Sequence, residues 1–544
     1  MLFKKKQIRI SVFIFLSIIL ILTRFIKLDW GNGFFFHPDE NRDALALSTM
    51  KPDNINPSNY AYGQFPLIVG FLSYRLIAHL PGFNGPVAPN FEQSIFILRT
   101  ISAIASCLSV FFIYQISKYL FKNKISRYLL VITMIFTPGL IQLAHFGTNE
   151  SILILIFTLN LFISFKILHK TNFKYILLAG LISGIGIATK ISALIFTGPI
   201  FLSLLLNLII NKKFLNIIKN TGLFIITTVL FSIIFSPQFI FNQSDFKSSV
   251  EYEVLLSTGK NKIFYTDQFL NTTPYLFQIK NIFPYTNGIP VTVISLIGLV
   301  LIFKTKKYQN KYWQILLISS AVIFFYNGQL YTKWTRYISP IFFILPILSC
   351  FLFDFIKNKF FFCGLIILSI LPGILFLRLY FQPDTRFTAS EWIVDHIPAG
   401  SYVLSESNNV MGLPLLPSNL SVTDFDFYKL ETDPDSTNEL SRLLSESDYI
   451  FVPSRRVFKN RNNSNFPVAN LYYQNLFSGQ LGFTEIKKIE NPPYLFLNSE
   501  NAEETWSVFD HPTIRIYQKT SFYNQQYYQE ILDISRHPIY DKQN

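Results

Sequence analysis

Long apolar runs dominate the chain up to about residue 380, and beyond it apolar residues come in short stretches broken by polar ones. A transmembrane helix needs about 20 mostly apolar residues. Runs of that kind predict helices near 8–28, 93–117, 128–144, 150–168, 174–189, 191–210, 220–240, 288–303, 312–329, 337–356 and 360–380. The expected count is therefore about eleven, and the pair flanking Lys190 is the hardest to divide. Three connections are too long for simple turns: 29–90, 241–287 and everything from 382 onward. The first contains HPDENRDALALSTM, which has helical character, and the second is polar.

The last segment reads as a small α/β domain. EWIVDHI predicts a helix, and SYVLSES a strand. Leu440, Leu443 and Leu444 in STNELSRLLSES have helical spacing. DYIFVPS reads as a buried strand and TIRIYQK as a late one. No element is expected after Ser521. The chain thus divides into a membrane domain, 1–382, and a C-terminal α/β domain, 383–544.

Charge orients this map. With Lys4, Lys5 and Lys6 in the cytoplasm, every second connection should be basic. Five of them are: Lys118, Lys122, Lys124 and Arg127; Lys166, Lys170 and Lys174; Lys212, Lys213 and Lys219; Lys304, Lys306, Lys307 and Lys311; Lys357 and Lys359. An odd number of spans then places the C-terminal domain outside the cytoplasm, and the protein in the plasma membrane. The apolar run after MLFKKKQIRI is too long for a signal peptide and lacks an A-x-A site, so it is expected to stay as the first span.

Composition agrees. Charged residues are 15% of the chain, against about 25% in soluble domains. The net charge of +14 does not point to nucleic acid, because the basic residues cluster between apolar runs. Cys107, Cys350 and Cys363 lie in apolar stretches without CxxC spacing, so no zinc site or disulfide framework follows.

Two short clusters could carry chemistry. Phe36-His37-Pro38-Asp39-Glu40-Asn41-Arg42 follows the first span. A carboxylate there can accept a proton from an attacking hydroxyl or amine. Ala144-His145-Phe146-Gly147-Thr148-Asn149-Glu150 is a tight connection that puts Glu150 at the outer end of a span, where an acid is a functional candidate. Asp39 and Glu150 on one side of the membrane could hold a divalent metal, with His37 and His145 nearby in sequence. No other cofactor is expected. Arg99, Lys190, Lys333 and Arg336 lie near outer helix ends and suit a phosphate headgroup. Each feature also has a structural reading: helix-dipole pairing at Asp39 and Glu40, capping at Glu150, hydrogen bonding at the histidines, snorkelling at the cations.

These residues resemble the GT-C glycosyltransferases that use polyprenyl-phosphate sugars, in the branch of family 39 that includes protein O-mannosyltransferases and aminoarabinose transferases. The carriers are HPDENR, LRTISA at Arg99, AHFGTNES, GLISGIGIATKISAL around Lys190 and KWTRYISP at Arg336. ETWSVFDHPTIRIYQK, with YYQNLFSGQLGF before it, resembles a tail in some members. The resemblance implies a GT-C fold and transfer, with inversion, from an undecaprenyl- or dolichyl-phosphate sugar to a protein, lipid or glycan of the cell envelope. It implies Asp39 as the general base beside Glu40, Glu150 at the second acidic position, and phosphate or substrate contacts from Lys190, Arg336, Lys333, Arg99, Arg42, His37 and His145. Family members often carry a Lys before a Pro-Leu step in the first loop, where this chain has Gln64 in Tyr62-Gly63-Gln64-Phe65-Pro66-Leu67. More of the phosphate contact then falls on Lys190 and Arg336. A flippase of lipid-linked sugar, an envelope-glycan polymerase or ligase, and an inactive lipid-sugar binder are the rival readings. A flippase would favour two related halves, which the sequence does not show.

Overall fold

The computed structural model describes residues 2–80, 86–212, 214–356, 358–409, 412–414, 419–494 and 496–536, with the side chains of 2–9 and 211 left aside. The basic-loop residues Lys213 and Lys357, the side chains of Lys4, Lys5 and Lys6, and the tail from 537 lie outside this description. The chain forms two compact units: Met1–Thr258 with Thr273–Arg378, and Gly259–Thr272 with Leu379–Asn544.

The first unit is helical. It begins with α1 (Leu2–Phe25), α2 (Pro38–Ser48), α3 (Phe65–Ala78) and α4 (Phe91–Leu120). There follow α5 (Lys124–Ile135), α6 (Pro138–His145), α7 (Glu150–His169) and α8 (Phe173–Thr189). A 3-10 turn, Ile191–Thr197, leads into α9 (Gly198–Asn211), then α10 (Phe214–Phe235), α11 (Gln238–Phe241) and α12 (Gln243–Thr258). The unit resumes with α13 (Leu276–Asn281), α14 (Phe283–Thr286), α15 (Ile289–Lys304), α16 (Lys311–Gly328), α17 (Thr335–Ile338), α18 (Ile344–Phe353) and α19 (Lys359–Leu377).

Every apolar run expected from sequence falls on helix, but two runs are not single rods. The run near 128–144 is broken between α5 and α6 by 49°, and the run near 337–356 bends by 42° before α18. Pro138 opens α6 at its first turn, and Pro340 lies just before the second bend. Proline has no N–H and cannot continue the preceding ladder. Among the described residues, five helices are long and apolar enough to cross a membrane, or seven if each bent pair is one span. Four further apolar helices are shorter, so length alone does not yield eleven spans. One of the four is α3, which was not expected from sequence.

Large apolar side chains such as Phe15, Ile226, Leu230, Val300 and Ile367 face outward. A surface of that kind is stable against lipid and costly in water. The unit is a multi-pass membrane structure. Close helix contact in it uses small residues, as is common in lipid. A Cβ on Gly180 of α8 would lie 1.9 Å from Thr227 Oγ1 of α10.

The second unit is an α/β layer structure around a five-stranded sheet of order β2-β1-β3-β5-β4. Its elements are α20 (Thr385–His396), β1 (Tyr402–Glu406), β2 (Ser421–Phe425), α21 (Ser436–Glu446), β3 (Tyr449–Val452), α22 (Arg456–Arg461), α23 (Pro467–Ser478), β4 (Phe483–Ile489), α24 (Glu504–Ser507), β5 (Ile514–Lys519) and α25 (Gln525–Ile531). β1 pairs in parallel with β2 and β3, and β5 pairs antiparallel with β3 and β4. The pleat sends alternate residues to opposite faces. Val403, Tyr449, Phe451, Ile514 and Ile516 pack with Ala389 and Ile393 of α20. Leu404, Ile450, Val452 and Tyr517 pack on the other face with Leu440 and Leu444 of α21 and Tyr472 of α23. Both faces are covered, which is why β3 reads as a continuous apolar run. The expected helices and strands of this domain are present, and β2, β4, α22, α23, α24 and α25 are additional. The last lies after Ser521, where no element was expected.

Candidate active site

Asp39 and Glu40 occupy the first turn of α2, behind Pro38 at its start, where acids complement the helix dipole. Successive helical residues point about 100° apart, and here that sends the two carboxylates into different surroundings.

Glu40 is fully buried. Its Oε1 accepts from Arg99 Nε at 2.7 Å and from the Gly147 N–H at 2.7 Å, and its Oε2 accepts from Arg99 Nη2 at 2.8 Å. Arg99 also donates through Nη1 to the carbonyls of Leu28 and Trp30, at 2.7 and 2.9 Å. Its guanidinium lies 4.4 Å from the Trp30 ring. Trp30 Nε1 donates to the His145 carbonyl at 2.9 Å. Both ring nitrogens of His145 face carbonyl oxygens, of Ile141 and Ile26, at 2.8 Å. Glu40, Arg99 and His145 therefore form a dry clamp that ties the end of α1 to α2, α4 and the α6–α7 connection.

Asp39 is placed differently. Arg336 donates to its carboxylate, and both side chains are 19% exposed. Arg42 Nη1 lies 3.5 Å from the other oxygen. Burial pushes the Asp39 carboxyl upward, but Arg336, then Arg42, His37 and Lys190, outweigh it and hold it well below the usual carboxylate range. Lys190 is the extended residue between α8 and the 3-10 turn. Its Nζ lies 4.7 Å from the Tyr62 ring centre and 5.2 Å from that of Tyr337. It is within electrostatic reach of Arg336, Glu150, Glu253 and Asp39. His37 packs edge-on against Phe146, 4.8 Å between centres, and senses Asp39, Glu40 and Glu150. Glu150 is buried at the first position of α7. Asp39, His37, Arg42, Glu150, Lys190 and Arg336 thus share one charged neighbourhood. Lys333 is turned to the carbonyl of Tyr331, at 2.9 Å.

The loop before α3 builds one wall. Gly63 N–H donates to Thr189 O at 3.1 Å, and a Cβ there would lie 2.0 Å from the Ala188 carbonyl oxygen. Only glycine lets the loop dock on the helix break that carries Lys190. Gln238 Nε2 donates to Tyr62 O at 2.8 Å, and its N–H to Gln64 Oε1 at 3.3 Å. Gln64 Nε2 donates to Asn56 at 3.1 Å. Gln64 is thus a buried strut.

Four neighbours of the site were not singled out from sequence. Tyr62 lies under both Arg42, at 4.5 Å, and Lys190. Asp43 accepts from Arg42, at 3.1 and 3.2 Å, and from Asn59 at 2.9 Å. Burial pushes the Asp43 carboxyl up to about 6, against the pull of Arg42. Tyr337 and Glu253 complete the set. Asp43 had a usable signal, since i and i+4 share a helix face. Glu253 had none, because α12 lies in a stretch that reads only as polar.

As for a metal, no group of three His, Cys, Asp or Glu side chains suited to one occurs among the described residues. Glu40 and His145 are committed to the clamp, and Asp39 to Arg336. Of the four side chains expected from sequence for a divalent ion, Asp39 is the one left partly exposed.

Residues 90–241 match the family model for dolichyl-phosphate-mannose-protein mannosyltransferase. That stretch holds Arg99, His145, Glu150 and Lys190, whereas Asp39 and Arg336 lie outside it. The fold is shared with the Archaeoglobus fulgidus oligosaccharyltransferase in its apo form, at TM-score 0.51 and 12% identity, over 85% of this chain and 72% of that one. ArnT from Cupriavidus metallidurans bound to undecaprenyl phosphate aligns at TM-score 0.48 and 14% identity, over 87% of this chain and 75% of that one. Its apo state aligns at 0.46 and 14%, over 88% and 76%. No curated protein matches the chain by sequence. The fold is that of a multi-pass helical membrane protein with a small α/β domain, and it is shared with that oligosaccharyltransferase. The family match covers residues 90–241 of this 544-residue chain, a stretch that holds LRTISA, AHFGTNES and GLISGIGIATKISAL.

Proposed function

We propose that this protein transfers a sugar from a polyprenyl-phosphate donor to a cell-envelope acceptor, with Asp39 as the general base. The observation that carries this reading is a partly exposed carboxylate held among Arg336, Arg42 and Lys190 beside Glu150. The acceptor oxygen or nitrogen attacks the anomeric carbon. The bond from that carbon to the phosphate oxygen breaks, and polyprenyl phosphate leaves with the electron pair. The acceptor proton passes to Asp39.

Paired with Arg336, Asp39 is a weak base. A donor phosphate competes for the same guanidinium and for Lys190, because Arg and Lys both favour phosphate oxygens. As Arg336 turns to the phosphate, Asp39 loses its strongest stabiliser and its proton affinity rises. The cations then meet the charge that develops on the leaving phosphate. Glu150, at the start of α7, orients the acceptor. The family model, which is that of a dolichyl-phosphate-mannose enzyme, supports a lipid-phosphate donor.

The basic connections support a cytoplasmic N-terminus and transfer on the outer face of the plasma membrane. A phosphatase fused near residue 450 should be active and one fused near residue 308 inactive; the reverse pattern would overturn the orientation. Purified protein supplied with defined polyprenyl-phosphate sugars and envelope extract should release polyprenyl phosphate. Movement of the lipid-linked sugar across vesicles without its cleavage would favour the flippase.

A further inference from the structure

The ETWSVFDHPTIRIYQK stretch holds none of the residues assigned above to transfer, and it helps to build a cavity in the second unit. The cavity has a volume of about 300 Å³ and lies between the end of β4, residues 490–494 and 496–499, and the start of β5. That is at the small end of the range for ligand sites. Its aromatic side is Tyr494, stacked on Trp506 with 5.9 Å between ring centres and 15° between planes. Phe496, 93% exposed, lines the cavity as well. The polar side is Asn498, Ser499, Thr513 and His511. His511 is held in place: Nδ1 lies 2.6 Å from Asp510 Oδ1, and Asp510 Oδ2 accepts from Tyr380 at 3.1 Å. The ring stands edge-on to Trp506, at 5.9 Å.

The charges are balanced locally. Lys488 is paired with Glu490 at 2.7 Å. Arg515 of β5 is held in bidentate fashion by Glu500 at 2.6 and 2.7 Å. Such a site has no net field for a phosphate or a carboxylate, and its polar side is too wet for a purely apolar ligand. Aromatic faces next to hydroxyl, amide and imidazole edges complement a pyranose or furanose, whose C–H faces stack while its hydroxyls hydrogen-bond.

We propose that this cavity binds one or two neutral sugar residues. The proposal does not depend on Asp39 or on transfer. The test is titration calorimetry of the full chain in detergent with neutral methyl glycosides of hexoses, N-acetylhexosamines and pentoses, and with the matching disaccharides. Glucuronate and an uncharged tetrapeptide serve as further probes. At least one neutral glycoside should bind in the millimolar range, and glucuronate and the tetrapeptide should not. Phe496→Ala, at an exposed position, should raise that Kd about fivefold through lost stacking, with unchanged thermal unfolding. Thr513→Val, which removes a hydroxyl at nearly constant shape, should raise it about threefold. No neutral sugar binding at about 50 mM, binding unchanged in both variants, or binding of the tetrapeptide in place of sugar would overturn the proposal.

Discussion

Asp39 and Glu40 are consecutive residues of one helix, yet their ion pairs belong to different regions. The Glu40–Arg99 pair is sealed, with side chains 0% and 1% exposed and every guanidinium nitrogen engaged. The Asp39–Arg336 pair is 19% exposed on both sides and has two further cations, Arg42 and Lys190, near it. A sealed pair holds three helices and a connection in register. A partly open pair can exchange partners. Chemistry that must hand a cation to a phosphate and a proton to a carboxylate needs the second kind.

The comparison is sharpest where it is broken. Glu40→Gln should leave Arg99 buried without its counter-ion, at a cost of about 3–5 kcal/mol in stability. Thermal unfolding and expression of the membrane-inserted protein report it, and an unchanged midpoint would mean that the clamp is not structural. Glu406 asks whether burial or pairing keeps a carboxylate charged. It is buried like Glu40, but among the described residues its hydrogen-bond donors are Tyr473 Oη, at 2.7 Å, and Asn409 Nδ2, at 2.9 Å, in place of a guanidinium. Burial pushes its carboxyl up to about 7 against those two hydrogen bonds.

The folded state then holds more protons than the unfolded one between the ordinary carboxyl range and about pH 7. Stability falls as pH rises through that window and levels off above it. Glu406→Gln removes the titrating group. It should leave stability near pH 5 about unchanged and raise it at pH 8 by at most about 3 kcal/mol. Hydrogen exchange at β1 and β3 is the readout, and equal pH profiles for the two proteins would contradict the assignment.

A smaller effect tests the open region's wall. Gly63→Ala drives a methyl into the Ala188 carbonyl oxygen, and should cost about 1–3 kcal/mol. Because the displaced loop borders Lys190, affinity for polyprenyl phosphate should fall about tenfold, as when one charge-assisted contact is lost. Normal affinity in a stably folded Gly63→Ala protein would show that this docking does not set the position of Lys190.

Much of this was legible in the sequence, and the exceptions have physical causes. Each apolar run announced its helix, because lipid demands length and continuity. The break at Pro138 was signalled by the proline, but its angle depends on packing. α3 was missed because its 14 residues fall below a span's length. In the second unit, β3 and β5 stood out as apolar strands. β2 and β4 did not, since mostly exposed or partly buried residues such as Ser421, Thr423, Lys487 and Lys488 interrupt them. At the candidate site, HPDENR forms the first turn of α2 and holds both carboxylates. It could not separate Asp39 from Glu40, because the partner that claims Glu40 is 59 residues away. The charge clusters gave Lys190 and Arg336 a common expectation with Arg99, and only the fold divides them.

The account rests on Asp39 being the carboxylate that takes the acceptor proton. Asp39→Asn keeps the side chain's shape and removes that capacity, and Asn is well tolerated near a helix start. Transfer by the purified protein from a defined polyprenyl-phosphate sugar, measured beside its thermal unfolding, is the direct test. Turnover should fall by about two orders of magnitude or more, the range expected when a general base is lost, while the unfolding midpoint stays close to that of the unaltered protein. Near-normal turnover in a folded Asp39→Asn protein would contradict it.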